Sequence, residues 1–159
     1  MERLWSPWRS QYVGSAKSDD ECIFCAHHED GQGVLLRGEA TFVLLNAFPY
    51  NSGHLMIAPR RHVGAPSGLE QGERHELIDT TFLAVEVLRE AMAPEGFNVG
   101  MNLGEIAGAG VPGHLHVHVV PRWGGDTNFM PVVGETKVLP EMLADTEAKL
   151  RPLFERYVD

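Results

Sequence analysis

The stretch His114-Leu115-His116-Val117-His118-Val119-Val120-Pro121 alternates imidazoles with aliphatic side chains. Alternation of period two over a short β-branched run is the pattern of a strand, whose successive side chains point to opposite faces. His114, His116 and His118 then share one face, with neighbours roughly 7 Å apart along the chain. Leu115, Val117 and Val119 take the other face and supply core. Three titratable rings side by side are a poor way to build a purely structural surface. Something polar or metallic is expected to meet them.

The chain around this stretch alternates short strands with two longer helical patterns. Residues 34–37 and 41–45 read as a hairpin around Gly38-Glu39. Residues 54–58 form another strand, closed by Pro59-Arg60-Arg61-His62, and 97–103 a further one. From 69 to 92 the period becomes helical, with Leu77, Ile78, Thr81, Val85, Leu88 and Met92 on one stripe, stopped by Pro94 and Gly96. Residues 140–157 predict a second, acidic helix with Met142, Leu143, Leu150, Leu153 and Phe154 as its apolar side. Pro152 is expected to kink it or end it early. Strands that cluster without regular β-helix-β alternation predict an α+β domain with an antiparallel sheet.

At 159 residues and 43% hydrophobic, the chain is long enough for one domain with a buried core, here residues 22–159. Residues 1–21 read as an arm and linker. Leu4, Trp5, Trp8 and Tyr12 around Pro7 carry too much apolar surface for a free tail, so the arm is expected to pack on the body or a second subunit. No apolar run reaches membrane-spanning length, and the start has no signal-peptide pattern. The two cysteines, in one Cys22-Ile23-Phe24-Cys25 unit, do not look like a secreted disulfide framework. A cytoplasmic protein is expected. A net charge of −9 argues against a nucleic-acid polymer as partner. A small phosphorylated ligand stays open, since backbone amides hold phosphate without net positive charge.

Two constellations carry chemistry. Cys22 and Cys25 offer two thiolates, and a closed zinc site needs four N/S ligands. Histidines must complete it, from among His27, His28, His54, His62, His75 and His114. A redox pair is the other use of this spacing, disfavoured because the pair follows no strand and opens no clear helix. The second constellation is the histidine face with the loop holding Gly104, Gly108, Gly110 and Gly113, whose amides can approach phosphate closely. Either the three imidazoles bind a catalytic metal, or one is a nucleophile toward phosphorus with its neighbours orienting it. Asn46, Asn51, His54 and Asn102 sit at strand ends or loops, where ligand contacts concentrate. His27, His28 and His75 are expected to face solvent, and Glu70, Glu73 and Glu76 to form a solvated helix face.

The histidine stretch resembles the alternating signature of the histidine triad (HIT) superfamily of nucleotide hydrolases and transferases. Further similarity lies in Leu45-Asn46 with Pro49 and Gly53-His54, in Asn102-Leu-Gly-Glu105 with Ala107-Gly108, and in 3–9 and 121–129. The last two stretches resemble a bacterial branch that includes diadenosine tetraphosphate phosphorylases and hydrolases. The resemblance implies an α+β fold of about five antiparallel strands, one long helix and one C-terminal helix, in a homodimer whose sheets join. It implies His116 as the nucleophile that accepts a nucleoside monophosphoryl group and His118 as its partner in phosphate contact and proton transfer. It implies His54 as support for the imidazoles, Asn46 on a ribose hydroxyl and Asn102 near phosphate or ribose. It also implies a structural zinc on Cys22, Cys25, His62 and His114.

The pattern departs from the family at one place. Many members carry a hydroxyl residue just before the triad to help protonate the leaving group. Here Gly108-Ala109-Gly110-Val111-Pro112-Gly113 has none. The backbone amides of Ala109, Gly110 and Val111 are the remaining candidates to hold phosphate. The expected function is cleavage of a phosphoanhydride, such as that of diadenosine tetraphosphate, through a nucleotidyl-histidine, with water or phosphate as acceptor. The alternatives are a nucleoside phosphoramidate hydrolase, a metal-dependent hydrolase using all three histidines, and a nucleotide-binding protein with little catalysis.

Overall fold

The computed structural model describes residues 22–31, 33–127, 134 and 138–157. The arm expected over 1–21 lies outside them. The elements in order are α1 (Ile23–Asp30), β1 (Val34–Arg37), β2 (Thr41–Leu45), β3 (Leu55–Pro59), α2 (Gln71–Met92), β4 (Gly96–Met101), β5 (Val117–Arg122) and α3 (Leu143–Glu155). The five strands form one sheet in the order β1-β2-β3-β5-β4, every neighbouring pair antiparallel. This is the α+β arrangement expected from the strand clustering. Among the described residues no helix is long and apolar enough to cross a membrane.

The alternation of the histidine stretch sorts the two faces of the sheet. Leu115, Val117 and Val119 join Val43, Leu55 and Ile57 in a core covered by α2 (Leu77, Ala84, Val87, Leu88) and α3 (Leu150, Phe154). The opposite face carries a smaller apolar cluster, Phe24, Phe42, Leu44, Met56 and Ala58, and the imidazoles lie beside it. Regular pairing in β5 begins at Val117, later than the alternation predicts, and runs on to Arg122. Pro121 is tolerated there because it pairs only with Phe97 of β4; the β3 ladder has already ended at Val119.

Two local expectations, for α2 and α3, are corrected. Residues 27–30 belong to α1, which ends at Gly31 in the left-handed conformation (φ 80°) with its N–H on His27 O. The α2 stripe is rotated from the expected one: Ile78 is 43% exposed, whereas Thr80, Ala84 and Val87 are buried. Small side chains let the helix lie closer to the sheet, so the contact face is not the one with the largest residues. In α3, Met142 and Leu143 are exposed, and Pro152 sits inside the helix without stopping it. Its missing N–H falls in the last turn, where one hydrogen bond is lost and nothing further is interrupted.

Glu73 and Glu76, expected on a solvated face, are tied down. Glu76 accepts from the N–H groups of Ala40 and Thr41 and from Thr41 Oγ1, clamping the β1–β2 turn onto α2. Glu73 closes a capping box with Glu70 and pairs with Arg61. That hydrogen bond holds the Glu73 carboxyl down at about 2.

Candidate active site and metal cluster

His114 and His116 each have one nitrogen committed to a carbonyl oxygen, whose role admits no choice, and that fixes the other nitrogen. His114 Nε2 lies 2.8 Å from Pro59 O. A carbonyl oxygen only accepts, so Nε2 carries the hydrogen and Nδ1 keeps its lone pair. That Nδ1 faces Cys22 Sγ at 3.3 Å and Cys25 Sγ at 3.7 Å. His116 is the reverse. Its Nδ1 lies 2.8 Å from His114 O and must donate, which leaves the lone pair on Nε2.

His118 is set through an intermediary. Tyr50 N–H donates to His54 Nδ1 at 3.0 Å, so His54 carries its hydrogen on Nε2. His54 Nε2 is 2.9 Å from His118 Nδ1 and donates to it. A neutral His118 then carries its own hydrogen on Nε2. The site thus pairs an imidazole with an available lone pair, His116, and one with an N–H to offer in a hydrogen bond, His118; their ring centroids are 4.9 Å apart. Burial pushes His116 below the usual histidine range, which keeps it neutral at physiological pH. Burial also lowers His114, to about 4.

The packing that holds these rings comes from residues the sequence did not single out. Phe24 of α1 lies 4.7 Å from the His116 ring and 5.1 Å from that of His114. Tyr50 stacks on His54 at 4.8 Å. Asn46, buried at the end of β2, accepts from Phe48 N–H at 2.9 Å and lies 3.3 Å from His54 Nδ1 through its Nδ2. Asn102 Nδ2 reaches Gly108 O at 3.4 Å across the glycine-rich loop. In that loop Ala109 is buried and its N–H turns back onto Gly104 O, 3.3 Å away. Gly110 and Val111 follow, and Val111 packs against the Phe24 cluster. The loop sits so close to the chain after β3 that a Cβ on Gly64 would meet Pro112 O at 2.9 Å.

The four cluster residues also come together. One ligand atom from each of Cys22, Cys25, His62 and His114 lies within 4.8 Å of the others, and Cys25 Sγ is 3.4 Å from His62 Nδ1. Zinc held tetrahedrally at its usual bond lengths places N and S ligands about 3.5 Å apart. The donor set, the spacing and the lone pair on His114 Nδ1 all fit a metal ion. His27, His28, His54 and His75, the other candidates, are not part of this group. His28 instead accepts from Arg60 Nε at 2.6 Å. The helix opened by the cysteine pair, which weakens the case made against a redox use, places Cys22 at its N-cap with both thiols facing imidazoles.

The HIT domain family matches residues 28–125. The chain belongs to the HIT family. Among its relatives is an AP-4-A phosphorylase from Mycobacterium tuberculosis, 42% identical, with the match covering 94% of this chain and 83% of that one. A bis(5'-nucleosyl)-tetraphosphatase (asymmetrical) from Schizosaccharomyces pombe is 28% identical over 80% of this chain and 68% of its own. A Zn-bound histidine triad family protein from Mycobacterium smegmatis shares the HIT fold with a TM-score of 0.71 at 21% identity, covering 88% of this chain and 97% of that one.

Proposed function

We propose that this HIT protein cleaves dinucleoside polyphosphates by transferring a nucleoside monophosphoryl group to His116 Nε2. One observation carries the reading. Nδ1 of His116 is bound to a carbonyl, so its Nε2 lone pair is available beside a proton-bearing His118. The name of the 42% identical relative supports the substrate class.

In the first step the Nε2 lone pair attacks the phosphorus nearest one nucleoside. The bridging P–O bond breaks, and the polyphosphate departs as an anion whose leaving oxygen accepts a hydrogen bond from His118 Nε2–H. With no hydroxyl residue in the preceding loop, His118 supplies that hydrogen bond. In the second step an anionic oxygen of the acceptor phosphate attacks the same phosphorus, and the P–N bond breaks with its electron pair returning to His116 Nε2. His54 keeps His118 in the required tautomer, and Asn46 and Asn102 flank the ribose and phosphate. The amides of Gly110 and Val111 hold phosphate oxygens, Ala109 having spent its own on Gly104. Phosphate is the acceptor this reading favours, in keeping with the relative named a phosphorylase.

A zinc ion on Cys22, Cys25, His62 and His114 would cross-link α1 to the start of the histidine stretch, and it takes no part in the transfer. The reading with one metal on all three histidines loses support, because His114 turns its Nδ1 lone pair to the two sulfurs and His118 Nδ1 is taken by His54. The apolar, half-open edge of β4, with Val99 and Met101 exposed, suits pairing with a second copy, and the arm over 1–21 would pack on that copy. Two thiolates suit a reducing, cytoplasmic location.

Product analysis with diadenosine tetraphosphate tests the reaction. ATP plus ADP in the presence of phosphate is expected. ATP plus AMP alone would make water the acceptor, and two ADP would contradict attack at the phosphorus next to the nucleoside.

A further inference from the structure

Beyond His118 the same face of β5 continues through Val120 to Arg122. There a cleft of about 230 Å³ opens between the strand and the loop after β2, lined among others by Tyr50, Asn51, Asn98, Val120, Arg122 and Asp126. The Tyr50 ring lies 5.8 Å from that of His118, so the cleft adjoins the site on the side of that hydrogen-bond donor. In an in-line displacement the leaving group departs opposite the attacking His116, toward that donor.

The lining chemistry decides what would fit. Arg122, the one cation among the described residues of the wall, is already neutralised. Its Nε and Nη2 lie 2.6 and 2.8 Å from the two oxygens of Asp126, and Nη1 donates to Asn98 Oδ1 at 2.7 Å. No surplus positive charge remains for a polyphosphate. The amides are oriented by their partners. Both hydrogens of Asn51 Nδ2 are taken, by Pro121 O at 3.1 Å and Asp126 Oδ2 at 2.9 Å, which leaves its Oδ1 to accept. Asn98 gives its Oδ1 to Arg122, which leaves its Nδ2 to donate. One amide acceptor, one amide donor, an aromatic ring and an apolar valine suit a flat heteroaromatic with hydrogen-bonding edges.

We propose that this cleft receives the second nucleoside of a dinucleoside polyphosphate, the one that leaves without ever being bonded to His116. The inference rests on the nucleotidyl-transfer reading and deepens it: the cleft selects substrates with a nucleoside at both ends over those with one. Asn98 lies outside the core on β4, the edge strand proposed to pair with a second copy, so the variants are compared with wild-type protein of the same oligomeric state.

The test compares two substrates on wild-type protein, Asn98→Ala and Asn98→Phe. One is diadenosine tetraphosphate. The other is adenosine 5'-phosphoramidate, whose leaving group carries no nucleoside. Asn98→Phe is expected to lower kcat/KM for the first by about tenfold, chiefly through KM, and Asn98→Ala by about threefold, with the second changed less than about twofold. Equal changes on both substrates, or none on the first, would overturn the cleft while leaving nucleotidyl transfer intact. Wild-type protein inert toward both would overturn the transfer reading and the cleft with it.

Discussion

His114 and His116 are the same residue two positions apart on one face, yet their surroundings give them opposite uses. His114 gives its Nε2 hydrogen to Pro59 O and turns Nδ1 toward two sulfurs. His116 gives its Nδ1 hydrogen to the backbone of His114 and keeps Nε2 for the site. The difference is made by a carbonyl oxygen in each case and by no charged group. What an imidazole can do is decided by which of its nitrogens a backbone acceptor takes first. One end of the stretch thereby turns a lone pair to the thiol cluster, and the other keeps one for the proposed transfer.

The largest expected effect separates these ends most sharply. His116→Ala should lower turnover of diadenosine tetraphosphate by about 10⁴-fold or more, with the melting temperature within about 2 °C of wild type. A large loss of stability in that variant would erase the distinction. The converse variant is Cys22→Ser. It should release bound zinc and lower the melting temperature by about 10 °C, while the rate per folded molecule changes far less. Metal content by elemental analysis, read beside thermal unfolding, checks it.

How much of this comparison could be read from residues alone follows from what leaves a side-chain signature. The alternation of 114–120 announced a strand with imidazoles on one face, and the apolar partners Leu115, Val117 and Val119 do sit in the core under α2 and α3. The cysteine pair announced a metal group, and the structure gathers His62 and His114 around it. The commitments that set each ring come from Pro59 O, His114 O and Tyr50 N–H. Every residue but proline has such an N–H and every residue such a carbonyl, so no sequence pattern marks the ones that matter. Glu76 hid for a related reason: its partners are the amides of a distant turn. The stripe of α2 was misread because large apolar residues such as Ile78 and Val85 carry more weight in a pattern than Thr80 or Ala84, which permit close packing.

Two smaller effects sharpen the transfer end. His54→Ala removes the donor that holds His118 Nδ1, so kcat should fall about ten- to a hundredfold with KM moved little. Steady-state kinetics check this; a change confined to KM would place His54 in binding instead. Asp126 gives the smallest effect. Its hydrogen bond to Arg122 holds its carboxyl down at about 2 from 3.8. A depressed carboxyl contributes stability that is present above its unfolded pKa and lost as pH falls through the folded one. Asp126→Asn should therefore flatten the loss of stability between about pH 4 and pH 2, seen in urea titrations across that range.

The central claim is that one nitrogen of one ring carries the nucleotidyl group. Protein mixed with diadenosine tetraphosphate without phosphate, quenched at alkaline pH within the first turnover and mapped by peptide mass spectrometry, tests it directly. An adenylyl mass on His116, assigned to Nε2 by phosphorus–nitrogen NMR, is the expected result. The same mass on His114 or His118, or ATP released in a burst with no adduct on any histidine, would contradict it.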